Sequence, residues 1–198
     1  MKYLLEHEMG FDTKELGFPS IQGCHAIVYQ TDAGLYGYHN FGGSGDDRFL
    51  PRATRFSKFI TDHGGGASTA TRLYGCSFIG NNQRGYSGVA KAKWKQELVT
   101  FATALNYAGK ISGYDLHKTL KAANASAYVE YRMNGSKCDV HIRQWSKNDK
   151  PNRVANPDRN GHKLMQAKGF NLSIVDLATV VTDVDRTNIV KISKEKLR

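Results

Sequence analysis

The stretch Gly23–Asn40, GCHAIVYQTDAGLYGYHN, decides how the rest of the chain is read. Ile27, Val28 and Tyr29 are strand formers, Asp32-Ala33-Gly34 is a turn signal, and Leu35-Tyr36-Gly37-Tyr38 resumes the extended pattern. The expectation is a β-hairpin with Cys24 at its start and His39 near its end. These two residues lie 15 positions apart, and a hairpin of that length returns both to one end of two paired strands. A cysteine acts as a nucleophile only when it can lose its proton, which calls for a nearby imidazole and a place at the edge of an element. Gly23 lets the backbone turn tightly before the thiol, and amide N–H groups there are suited to hold an oxyanion.

Moving outward, Arg72–Ile79 (RLYGCSFI) reads as another strand. Val89–Tyr107 is the clearest helix, with Trp94, Leu98, Phe101 and Leu105 at helical spacing and Gly109 as its stop. Those four are core positions, not a ligand box. A shorter helix is expected around 53–61, inside a glycine-rich loop region of roughly 40–70. Ala125–Met133 and Lys137–Trp145 flank Asn134-Gly135, the strongest hairpin signal in the chain. Residues 2–9 read as a short helix, 146–163 as polar loop, and 171–182 and 187–192 as two last strands. One domain over 1–198 is expected: a helix or loop over 1–20, a core over 21–145, a loop over 146–163 and C-terminal strands over 164–198. Strand outweighs helix and hairpins recur, so the fold class is α+β: a mixed, largely antiparallel sheet or sandwich flanked by helices.

Composition is that of an ordinary globular domain, 40% hydrophobic and 23% charged over 198 residues, which argues against disorder. The 28 Lys+Arg against 18 Asp+Glu give a net charge of +10. Only KISKEKLR (191–198) and SKNDKPNR (146–153) are dense in base, so solvated surface charge is favoured over a nucleic-acid footprint. The three cysteines Cys24, Cys76 and Cys138 are too few and too far apart for a disulfide framework, and no CxxC knuckle occurs. They point to a reducing compartment or at least one free thiol. The N-terminal MKYLLEHEMG mixes acids into its apolar residues, unlike a Sec signal, and no apolar run reaches membrane-spanning length. The expected place of synthesis is the cytoplasm.

Other motifs carry less. DHGGGASTAT lacks the Lys-Ser/Thr ending of a phosphate-binding loop. Asp46-Asp47 with His39 and His63 is too irregular for a metal site, so no metal and no cofactor is expected. Cys76 reads as a small buried hydrophobe. Cys138 and His141 are three apart on a strand, hence on opposite faces.

SIQGCHAIVYQTDAGLYGYHN (20–40) resembles the active-site segment of the cysteine glutamine deamidase superfamily. That group comprises the CheD chemoreceptor deamidases, the catalytic domain of cytotoxic necrotizing factors, and Burkholderia lethal factor. TRLYGCSFIGNN ahead of the Trp94 helix is loosely similar to the following segment of CheD. The resemblance implies Cys24 as nucleophile and His39 as general base, in a cofactor-free hydrolase. A glutamine in a target protein would become glutamate through a thioester, or be transamidated where an amine replaces water. It further implies a bacterial effector or toxin, a virulence protein secreted by a specialised system into another cell. Relatives keep a threonine six residues before the cysteine, where this chain has Phe18. Ser20, Gln22 or a backbone carbonyl are the substitutes, and Asn40 belongs to the opposite strand face.

Two other readings stand beside this one. A papain-like or NlpC/P60-like amidase or peptidase would take His117 or His141 as its base. A basic nucleic-acid-binding domain would use Tyr36, Tyr38 and Tyr74 to stack bases.

Overall fold

The computed structural model describes residues 2–4, 6–40, 48–79, 86, 88–120 and 126–145. It adds short segments at 152–154, 163–168, 171–176, 180–182, 190–191 and 195–197. In chain order the strands are β1 (Lys2–Tyr3), β2 (Glu8–Asp12), β3 (Glu15–Ile21), β4 (His25–Thr31) and β5 (Gly34–Asn40). Helix α1 (Phe49–Asp62), β6 (Ala70–Ser77), α2 (Ala90–Ala104), β7 (Ile111–Asp115) and α3 (Leu116–Leu120) follow. Next come β8 (Ser126–Asn134), β9 (Lys137–Trp145), β10 (Asn152–Val154) and β11 (Lys163–Lys168). The last four are β12 (Asn171–Asp176), β13 (Val180–Thr182), β14 (Val190–Lys191) and β15 (Glu195–Lys196).

An eight-stranded sheet runs β12-β11-β2-β5-β4-β6-β7-β15, and a five-stranded sheet runs β1-β3-β8-β9-β14. β10 and β13 form a separate pair. Only β1–β3 and β6–β7 are parallel among the described pairs, and α2 lies in the crossover between β6 and β7. This is the α+β sandwich expected from the sequence.

Strand alternation divides the interior in two. Ala26 and Val28 of β4 and Leu35 of β5 face the five-stranded sheet, meeting Leu16, Phe18, Val129, Tyr131, Val140 and Ile142. Ile27, Tyr29, Tyr36 and Tyr38 face the other way, against Phe49, Phe56 and Phe59 of α1 and Trp94, Leu98 and Phe101 of α2. The layers are therefore sheet, sheet, helix. Gly37 sits on the inter-sheet face, where a Cβ would lie 2.7 Å from side-chain carbons of both Leu4 and Leu16. The two sheets close onto β5 only because nothing larger occupies that position.

Several local expectations need correction. Residues 2–9 are not a helix: β2 pairs with β5, placing Met9 opposite Tyr38 and Phe11 opposite Tyr36. The free edge of the β4–β5 hairpin recruits this segment, and pairing outweighs its weak helical periodicity. In the region expected as helix or loop, Lys2–Tyr3, Glu8–Asp12 and Glu15–Ile21 are strands of the two main sheets. Helix α2 stops at Ala104 rather than at Gly109. Asn106 takes the left-handed turn (φ 49), with Asn106 N–H donating to Thr103 O and Tyr107 N–H to Ala102 O. That is a Schellman closure, for which asparagine substitutes for glycine. In the β8–β9 hairpin the two-residue loop is Gly135-Ser136, one position later than expected, with Gly135 at φ 61 and Asn134 paired to Lys137. Residues 42–47, and most of the polar segment after Trp145, lie outside the described residues. No described helix is long and apolar enough to cross a membrane.

Candidate active site

Cys24 immediately precedes β4, and Ala26 is paired directly with His39 across the hairpin. Cys24 has the same strand parity as Ala26 and packs with it in the inter-sheet core. It therefore stands diagonal to His39 on one face, a relation that in antiparallel sheets spans ~7–8 Å between Cα atoms. Both residues are buried, Cys24 at 6% and His39 at 2% exposure.

The imidazole is held by one nitrogen only. His39 Nδ1 donates to the backbone carbonyl of Leu4 at 2.7 Å, and Leu4 N–H in turn donates to Gly17 O at 2.9 Å. Nε2 is buried and has no hydrogen-bond partner among the described residues. A committed Nδ1–H leaves a lone pair on Nε2, the arrangement of a histidine poised as a base. Burial is the main force on this ring and pushes its pKa down to about 4. The Leu4 carbonyl opposes that shift, and His7 adds to it. At neutral pH the side chain is an uncharged imidazole.

Phe18, six residues before the thiol, is fully buried with its ring edge-on to His39 at 6.1 Å between centroids. Phe18 thus adjoins the imidazole, but its aromatic ring cannot bond to Nδ1. Ser20 and Gln22 are exposed, and neither is the Nδ1 partner. Ser20 bulges out of β3 at φ 57, in the interval between Phe18 and Ile21 where the register with β8 shifts. Gly23 is half-buried between that bulge and the thiol.

The structure brings Glu6 to this place, a residue that nothing in the sequence singles out. Cys24 Sγ donates to Glu6 Oε1 at 3.4 Å. Glu6 and His7 form the turn before β2, and His7 N–H donates to His39 O at 2.8 Å. His7 (φ 71) and Ser20 (φ 57) are two of three non-glycine residues with positive φ among those described. Both flank the thiol–imidazole pair, where backbone strain tends to collect at functional sites. A carboxylate accepting the thiol proton disfavours the thiolate. Glu6→Gln is therefore expected to speed alkylation of Cys24 by iodoacetamide at pH 7 by about three- to tenfold. An unchanged or slower rate would show that Glu6 does not restrain the thiol.

The remaining sequence candidates sit elsewhere. Cys76 is fully buried on β6 opposite Ala26, and burial pushes its thiol pKa well up. Burial likewise raises Cys138, to about 12. His141 pairs with Glu130, on the face of the five-stranded sheet opposite the inter-sheet core that holds Cys24. His117 is in α3, which follows β7, two strands from β4 in the sheet order. Tyr36, Tyr38 and Tyr74 are 1%, 2% and 4% exposed, so they are core residues and not base-stacking surfaces. His63 Nδ1 bonds Phe59 O within its own helix end. Among the described residues no group of three or more His, Cys, Asp or Glu side chains is arranged to hold a metal.

No protein-family model matches the chain, and no curated protein is similar to it at a significant level.

Proposed function

We propose that the protein is a cysteine-dependent glutamine deamidase acting on a side-chain carboxamide of a target protein. One observation carries the reading: His39 presents a buried Nε2 with no hydrogen-bond partner among the described residues, its Nδ1 fixed by Leu4 O, on the same sheet face as the Cys24 thiol. The resemblance of residues 20–40 to the deamidase superfamily supports the same pair. In this reading the Leu4 carbonyl orients the base, standing where a polar side chain six residues before the cysteine serves the relatives.

The steps balance on these groups alone. Substrate entry draws the thiol away from Glu6. Nε2 takes the Sγ proton as sulfur attacks the carboxamide carbon, and backbone amides at Gly23–Cys24 receive the oxyanion. The imidazolium then returns the proton to the departing nitrogen, releasing ammonia and leaving an acyl thioester. Water, activated by Nε2, hydrolyses the thioester to glutamate and regenerates the thiol. A primary amine at that step gives transamidation instead. A neutral resting imidazole suits this order, because the charged pair forms only during attack, when the substrate has excluded water.

The family resemblance also supports an effector or toxin made in the cytoplasm and delivered to another cell. A cell lysate incubated with the protein is expected to show a mass increase of about 1 Da at a glutamine of a target, the change from carboxamide to carboxylic acid. Cleaved backbone peptides in place of that shift would overturn the reading in favour of a peptidase.

A further inference from the structure

On the helix side of the same hairpin, directly behind the thiol and imidazole, lies a closed polar network. His25 and Asn40 are paired across β4 and β5, so their side chains point to the face opposite Cys24 and His39. Both reach Glu97 of α2, which is 1% exposed. Asn40 Nδ2 donates to Glu97 Oε1 at 2.6 Å, and His25 Nδ1 lies 2.8 Å from Oε2. The Tyr86 hydroxyl donates to the same Oε2.

The proton positions follow from the partners. Trp94 Nε1 can only donate, and it donates to His25 Nε2 at 3.1 Å. His25 must then accept at Nε2 and carry its proton on Nδ1, so it donates to Glu97 as a neutral ring. The Glu97 carboxylate collects three donors: one from β4, one from β5 and one from Tyr86. The network also touches the nucleophile's own backbone. Ser77, beside the Tyr86 hydroxyl, donates to Cys24 O at 3.0 Å.

We propose that Glu97 is the positioning residue of the Cys24–His39 pair, its carboxylate tying β4 and β5 together at the level where they carry the thiol and the imidazole. The inference rests on the reading of that pair as the reactive centre. Residues 24 and 25 share a peptide bond, as do 39 and 40, so a shift of either tied side chain moves its reactive neighbour. Misplacement of reacting groups by about 1 Å can cost on the order of a hundredfold in rate. A buried carboxylate with every oxygen engaged is costly to form and resists movement once made.

The test compares Glu97→Ala with Glu97→Gln in the full chain, at a temperature where circular dichroism shows both folded. Alkylation of Cys24 by iodoacetamide is followed by peptide mass spectrometry, beside Cys76 and Cys138, together with kcat and KM for ammonia release. Glu97→Ala is expected to slow Cys24 alkylation by about tenfold and kcat by about a hundredfold, with KM changing by less than about threefold. Glu97→Gln should stay within about threefold of the native protein in both. Asn40 Oδ1 is buried without a partner among the described residues, so reversing the Asn40 amide gives the new Gln NH2 an acceptor. A role in stability alone would lower Tm in Glu97→Ala while leaving alkylation and kcat at native values, and that result overturns the proposal. Should Glu97→Ala fail to fold, Asn40→Ala removes only the β5 tie and is judged by the same two readouts. If native Cys24 reacts no faster than Cys138, the dyad reading falls and takes this inference with it. If native Cys24 reacts fast but no glutamine is deamidated, only the substrate class falls, and the alkylation comparison still decides on Glu97.

Discussion

Cys24→Ser is expected to lower ammonia release from the target protein by a factor of about a thousand or more while leaving the fold intact. The hydroxyl is close in size to the thiol and can still donate to Glu6, so packing of the inter-sheet core changes little. Chemistry changes a great deal. An alcohol is far harder to deprotonate than a thiol, and burial has already weakened the imidazole proposed as its base, holding His39 at a pKa of about 4. A serine variant with native activity would remove Cys24 from the mechanism altogether. The measurement is ammonia release with Tm recorded on the same samples, since a large fall in Tm would locate the loss in folding.

His39→Asn separates the base from the scaffold. Asparagine keeps a donor in the place of Nδ1, so the bond to Leu4 O survives, while the Nε2 lone pair disappears. Activity should fall by about a hundred- to ten-thousandfold, the usual worth of a positioned general base. The same variant tests the electrostatics. The folded ring titrates at about 4 against 6.5 in the unfolded chain, so between these values the unfolded state binds the extra proton. Stability from this group is complete above pH 6.5 and is lost as pH falls toward 4, by about 3 kcal/mol in total. Native and His39→Asn proteins should therefore differ in their stability–pH slopes across that window, the variant being flatter by about that amount. Parallel slopes in urea titrations would mean that the imidazole is not buried as neutral.

These effects were legible in the sequence only in part. The alternation of Ile27, Val28 and Tyr29, the Asp32-Ala33 turn and the returning Leu35–Tyr38 specify a hairpin by purely local rules, and a hairpin of fixed length brings 24 and 39 to one end. The helix around Trp94 and the Gly135 turn were legible for the same reason, because period and turn chemistry act over a few residues. Segment 2–9 was not, since a short apolar run with mixed acids fits either period until an open sheet edge captures it.

The sequence by itself thus determined the hairpin that carries Cys24 and His39 to one end and the layered α+β class. Only the tertiary structure decided what surrounds these two residues. Leu4 lies 35 residues from His39, Glu6 lies 18 from Cys24, and Glu97 lies 72 from His25. A carbonyl, a turn carboxylate and a buried helix carboxylate leave no mark of their own in a linear pattern. Each acquires its role when packing brings it to a partner and removes the water that would otherwise satisfy both. The orienting group for His39 is a main-chain oxygen, which every residue possesses, so no side chain in the sequence could have named it.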